Sequence, residues 1–349
     1  MTSRARYVRG GVASVALTAL LIWLLSSGGL PLVPSASELA AVDTSGVVLA
    51  GALMLCNMLT RFLRCHYLIA PLAPVPLRRL MTTNAIGMAA ITFLPLRLGE
   101  FVRPAMLRER GGLSAWAVTG TVGAERVIDG VVFSLMLLGG LALAPPQEPL
   151  PDHVGALAVP VWLVPRSAQI ASLAFIGAFA LMLSFYRFRA FARRVTERCF
   201  GVLSPALGRR VADIVERLSD GLGFLTKWRY SLPYLAVTLV SVTSLALTID
   251  VLARAAGIPE LTFAQSFVVL GVLALGFSAP NTPGFFGVVQ LALYAGLATY
   301  VAPEKVAQQG GAFVFVYYLL YLGSVTSLAL VALATEMIPA RRGAVTPAR

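Results

Sequence analysis

Arg97, Glu100 and Arg103 stand three residues apart in the stretch I-T-F-L-P-L-R-L-G-E-F-V-R-P-A-M-L-R-E-R, residues 91–110. Charges at that spacing fall on one side of a helix, where Glu100 sits between two guanidinium groups. A second set follows in Glu125, Arg126 and Asp129: its carboxylates are i, i+4, and all three share a helix face. If the two faces meet, three cations and three carboxylates neutralise one another. Arginine stays charged when buried and grips an oxyanion through a planar bidentate fork. The chemistry such a cluster allows is the exchange of a carboxylate partner for a phosphate. Two other readings stand beside it: a closed ion-pair network that only pins one segment to the next, and acid–base catalysis by Glu100 or Asp129. No nucleophile, metal-ligand cluster or nucleotide loop accompanies the carboxylates, so no catalytic residue, metal or cofactor is assigned.

The elements that must position these charges are membrane helices. Of 349 residues, 58 % are hydrophobic and only 13 % charged, with mean hydropathy +0.80. A soluble chain carries about 25 % charged residues. The fold class expected is an all-α polytopic membrane protein in a single domain over residues 1–349. Cys56, Cys65 and Cys199 have no metal spacing and form no disulfide framework, and His66 lies far from His153. The net charge of +12 does not point to nucleic acid, because the basic residues have no stacking aromatics in register and gather in loops.

Six stretches read as full spans: residues 12–25, 47–63, 116–143, 169–185, 232–252 and 313–333. The first, preceded by Arg4, Arg6 and Arg9, resembles a signal peptide but is read as a retained helix. Arg61 and Arg64 are read as closing the second. Residues 81–94 are apolar but short of the roughly 20 needed to cross a bilayer, and break at Pro95 and Gly99. Residues 263–301 are likewise apolar but broken, at Asn281, Pro283, Gly284 and Gly287. The glycines have two readings, a functional tip or simply tight turns and close helix approach. Between the fourth and fifth spans, residues 187–229 carry ten basic and four acidic residues, with Val211, Ile214, Val215, Leu218 and Leu222 at helical spacing. That predicts an amphipathic helix on a surface of anionic headgroups. Asp250, near a helix end, is read as interfacial.

Basic residues collect on the cytoplasmic side of membrane proteins. If both broken segments are re-entrant hairpins and the termini are cytoplasmic, 24 of the 28 basic residues lie inside, leaving Arg166, Arg254 and Lys305 outside and Arg126 within a helix. Reading the first broken segment as a full span would place the basic block 187–229 outside. The sequence therefore predicts two oppositely oriented hairpins, over residues 80–107 from the cytoplasm and 263–301 from the other face. Pro95 and Gly99 are four apart, as are Pro283 and Gly287, a pairing that fits an inverted repeat.

Three strings in order, L-P-L-R-L-G-E-F-V-R at 94–103, E-R-V-I-D at 125–129 and P-N-T-P-G-F-F-G-V-V-Q at 280–290, resemble the lysylphosphatidylglycerol synthase transmembrane region, or flippase-like, family. The resemblance spans most of the chain. It implies an integral membrane fold with broken helices that moves lipids between leaflets. Two-domain members carry a soluble aminoacyl transferase domain, which has no counterpart expected here, so lipid aminoacylation is not carried over. By motif, Arg97, Gly99, Glu100 and Arg103 match one element and Glu125, Arg126 and Asp129 a second. Pro283, Gly284 and Gly287 match the third only in part: Phe285 replaces a second glycine, and Gln290 stands where an acid is usual. A neutral Gln290 takes up no proton.

The function expected is a non-enzymatic transporter or flippase of the bacterial inner membrane, its partners being lipids with an anionic headgroup or phosphate. The alternative is a membrane-embedded transferase or accessory subunit of a lipid-linked glycan or isoprenoid pathway. Homo-oligomerisation is left open, as are the lipid and the energy coupling.

Overall fold

The computed structural model describes residues 3–94, 99–111, 113–146, 150, 152–154, 157, 160–201, 204–278 and 282–337. Helix α1 (Ser3–Ser27) leads to the short α2 (Ala36–Ala40) and then α3 (Thr44–Ile69). Asp43 caps α3, accepting from the Ser45 and Gly46 amides at 3.2 and 3.0 Å and from the Ser45 hydroxyl at 2.6 Å. The Ser45 hydroxyl, helped by those amides, holds the Asp43 carboxyl below its ordinary value. Next come α4 (Leu77–Phe93), α5 (Val102–Gly111), α6 (Ala115–Leu143) and α7 (Leu163–Arg187). The second half contains α8 (Arg189–Gly201), α9 (Pro205–Asp220), α10 (Trp228–Ala255), α11 (Phe263–Ser278), α12 (Val288–Leu297), α13 (Pro303–Ala307) and α14 (Gln309–Met337). Among the described residues there is no strand, and α3, α6, α7, α10 and α14 are each long and apolar enough to cross a bilayer. The chain is an all-α, multi-pass membrane protein.

Both broken segments double back. A Cβ added to Gly99 would lie 2.1 Å from the Ile91 nitrogen, and one on Gly87 would lie 3.8 Å from the Arg103 Cβ, so α5 returns antiparallel along α4. In the second pair an added Gly276 Cβ meets Ala292 at 2.9 Å and an added Gly296 Cβ meets Val269 at 3.0 Å, again antiparallel.

Their mutual orientation is recorded along α14. Near its C-terminal end, Arg78 donates to the Thr335 carbonyl at 3.2 Å and the Thr82 hydroxyl to Glu336 at 2.9 Å, which fixes the base of the first hairpin. Near its N-terminal end, Gly310 packs beside Leu297 and Tyr294, which fixes the base of the second. One turn in between holds both tips. The Tyr321 and Thr92 hydroxyls share a hydrogen bond of 3.0 Å, and the Tyr318 hydroxyl donates to the Gly284 carbonyl at 3.1 Å. The hairpins therefore enter from opposite ends of α14 and meet tip to tip, each covering part of a helix that crosses.

Backbone irregularity concentrates at the second tip. Gly284, Phe285 and Gly287 all have positive φ, at 71°, 55° and 83°. For phenylalanine such a conformation costs on the order of 1–3 kcal/mol. Its ring is buried and packs edge-on to Phe277, with centroids 4.9 Å apart, which offsets part of the strain. Gln290 is buried and its side-chain oxygen accepts from the Gly287 amide at 2.7 Å. A glutamate would cap α12 in the same way, so glutamine keeps the cap and gives up the charge.

The basic stretch departs from the single amphipathic helix expected for 187–229. It forms two helices, α8 and α9, packed on each other, with Arg193 paired to Glu197, Asp213 and Glu216. The apolar face of α9 has a protein partner: an added Cβ at Gly120 would lie 2.1 Å from the Leu218 carbonyl oxygen, and one at Gly221 2.3 Å from that of Ala117. Small residues on both sides bring the α6 and α9 backbones into contact.

Candidate functional site

The charges gather where α3, α5 and α6 cross. Arg64, on α3, is 3 % exposed and is the hub. It donates to both oxygens of Asp129 at 2.6 Å each, and to Glu125 Oε1 at 2.7 Å. Its guanidinium also lies over the Tyr234 ring, 5.6 Å from the centroid. Arg103, on α5, donates to the other Glu125 oxygen at 2.6 Å and to Asn84 Oδ1 at 3.1 Å. Asn84 is in turn oriented by its own bond to the Leu80 carbonyl, 2.8 Å. These contacts fasten the first hairpin to α3 and α6.

Above this locked layer the pairing is looser. Arg126 meets Glu100 at 3.3 Å, and Arg61 approaches Asp129 only to 3.9 Å. The side chains of Arg61 and Arg126 are 27 % and 37 % exposed, against 3 % and 12 % for Arg64 and Arg103. Among the described residues four guanidiniums face three carboxylates, an excess of one positive charge.

Arg61 and Arg126 open into a cavity of about 340 Å³ that both hairpins help to line. Along α3, Arg61, Met58 and Met54 follow at spacings of three and four, and along α6 so do Arg126, Asp129 and Phe133. Along both helices the lining therefore passes from charged to apolar, and Phe277, Phe285 and Tyr321 add aromatic rings to it.

The expected residues divide as follows. Glu100, Arg103, Glu125, Arg126 and Asp129 are together; Pro95, Arg97 and Asn281 lie outside the described residues. Glu100 lies in the 3-10 turn of residues 99–101 and Arg103 on α5, and both line one small chamber beside α6. Arg103 pairs with Glu125 there, and Glu100 with Arg126. Pro283, Gly284, Gly287 and Gln290 build the second tip, not the charged cluster. Asp250 pairs with Arg254 four residues on, at 3.0 Å, near the end of α10.

Sequence reasoning missed Arg61, Arg64 and Asn84, and the tyrosines of α14. Arg64 was read as the end of a span, yet α3 continues to Ile69. The signal was present in the apolar residues Tyr67, Leu68 and Ile69, which carry the helix past its two arginines.

No curated protein and no solved structure matches the chain. The profile of the family described as Lysylphosphatidylglycerol synthase TM region matches residues 11–328. That span holds both hairpins and every described member of the ion cluster, and the chain belongs to the lysylphosphatidylglycerol synthase TM region family.

Proposed function

We propose that the protein moves an anionic lipid between the leaflets of the bacterial inner membrane, without altering it chemically. The supporting observation is the cavity's polarity: two incompletely neutralised guanidiniums in a lining that passes to methionines and aromatic rings. A phosphate diester carries a negative charge, which the excess of guanidiniums over carboxylates among the described residues complements. Arg61 and Arg126 hold the phosphate in exchange for their carboxylate contacts, while Arg64 and Arg103 keep the frame. At about 340 Å³ the cavity is within the range of small-molecule sites and takes a headgroup with the start of its chains.

The test is reconstitution in liposomes with fluorescent phosphatidylglycerol, scored by leaflet accessibility and by the mass of the recovered lipid. Each charge-assisted bond to phosphate is worth about 1.5–3 kcal/mol, so Arg61→Ala or Arg126→Ala slows transport about ten-fold or more. Arg61→Lys restores part of the rate, since an ammonium keeps the charge and loses the fork. Wild-type transport by a stable Arg61→Ala, Arg126→Ala double variant defeats the reading. Recovery of lipid with a changed mass favours a transferase instead.

The proposed orientation places α13 in the periplasm and the α5–α6 and α8–α9 ends in the cytoplasm. Single cysteines at exposed Glu304, Arg108 and Arg209, in a background lacking Cys56, Cys65 and Cys199, test it with a membrane-impermeant thiol reagent. Position 304 is expected to label in intact cells, and 108 and 209 only after lysis. Labelling of 209 from outside overturns the orientation.

A further inference from the structure

We propose that the groove between α5 and the start of α6 is a second lipid site, which loads an anionic phospholipid headgroup into the central cavity along one face of α6. The inference rests on the transport reading above and adds the route by which substrate arrives.

The groove measures about 610 Å³ and is walled by Phe101 and Arg108 on the hairpin side and by Trp116 and Thr119 on α6. Phe101 is 64 % exposed and Trp116 45 %, so two aromatic rings and an exposed guanidinium share one open surface. Aromatic rings settle at the level where headgroups meet chains, and arginine takes the phosphate beside them. This pairing matches a phospholipid rather than a free anion, which would have no use for the rings.

Continuity with the cavity is carried by α6. Thr119 lines the groove, Val122 and Arg126 line a small chamber of about 40 Å³, and Arg126 and Phe133 line the central cavity. These positions are three, four and seven residues apart, one stripe running about 21 Å down the helix. The chamber shares Arg61, Glu100 and Arg126 with the central cavity, so the Glu100–Arg126 ion pair lies at their junction. At about 40 Å³ the chamber holds a few waters and excludes a phosphate ester. Passage requires Arg126 to release Glu100 and take the phosphate. The ion pair is thus a gate that the substrate itself opens, and the neighbouring Arg103–Glu125 pair keeps the hairpin attached while it does so.

Two measurements test the route. Wild-type protein in liposomes containing phosphatidylglycerol with a photoreactive headgroup is irradiated and its peptides are mapped. Labelling within residues 101–119 is expected; labelling of the central cavity with none in that segment overturns the route. Secondly, Thr119→Trp and Ala105→Trp fill the groove from opposite walls. Both are expected to slow transport of long-chain phosphatidylglycerol about ten-fold or more and to remove the photolabelling of residues 101–119, while solubilised protein equilibrated with photoreactive dihexanoylphosphatidylglycerol still labels in the central cavity. Wild-type transport by either folded variant overturns the groove but leaves the cavity's role standing. If the wild type neither binds nor moves phosphatidylglycerol, the transport reading fails and the route falls with it.

Discussion

Replacing Arg64 with alanine is expected to destabilise the protein by about 3–5 kcal/mol, the range found when one partner is stripped from a buried ion pair. Arg64 serves two carboxylates at once. Glu125 keeps Arg103 at 2.6 Å after the change, but Asp129 is left with only the 3.9 Å approach of Arg61. The loss therefore falls mainly on Asp129, a charge 7 % exposed within a membrane-spanning helix. Arg64→Lys should be intermediate, because one ammonium does not reproduce the planar fork that meets both Asp129 oxygens. Adding Asp129→Asn to Arg64→Ala removes the stranded charge and should recover a large part of the stability. A double-mutant cycle from thermal melts in detergent reads that coupling. A melting temperature for Arg64→Ala equal to wild type would show that the pair is not what holds α3 to α6.

How much of this was legible depends on what kind of signal each feature leaves. The hairpins were legible because an apolar segment too short to cross, followed by proline and glycine, has few other structures open to it in lipid. Their opposite orientation followed from charge placement, and contacts along α14 show the same arrangement in the fold. Arg64 was not legible for the same reason that charge reasoning works elsewhere: an arginine near the end of a span ordinarily marks the interface. Tyr318 and Tyr321, which hold the two tips, are single hydroxyls inside an apolar run and leave no pattern at all. The spacing along residues 205–220 gave the apolar face of α9 correctly but not its partner, which is set by Gly120 and Gly221, far apart in sequence. Periodicity identifies a buried face; only three-dimensional proximity says what buries it.

Gly99 carries the second large expectation. Its φ is not in the left-handed region, so the need for glycine is one of space: an added Cβ would lie 2.1 Å from the Ile91 nitrogen, 2.2 Å from the Ala90 carbonyl carbon and 2.5 Å from its oxygen. All three are backbone atoms of α4, which no side-chain rotation moves aside. Gly99→Ala must push the turn off α4, and overpacking of this kind costs about 1–3 kcal/mol, occasionally more. The displacement reaches the site directly, because Glu100 is the next residue and Arg103 lies one turn further on α5. Their 3.3 Å and 2.6 Å contacts to Arg126 and Glu125 lengthen together. Gly99→Ala is therefore expected to lose transport out of proportion to its loss of melting temperature, since α3, α6, α7, α10 and α14 are untouched. Gly123→Ala is the matched control. Nothing lies within 4 Å of the added methyl, and alanine favours a helix interior over glycine by roughly 1 kcal/mol. That variant should melt at or above wild type and transport normally. Full transport by Gly99→Ala would mean that the hairpin's seat on α4 does not position the charged cluster.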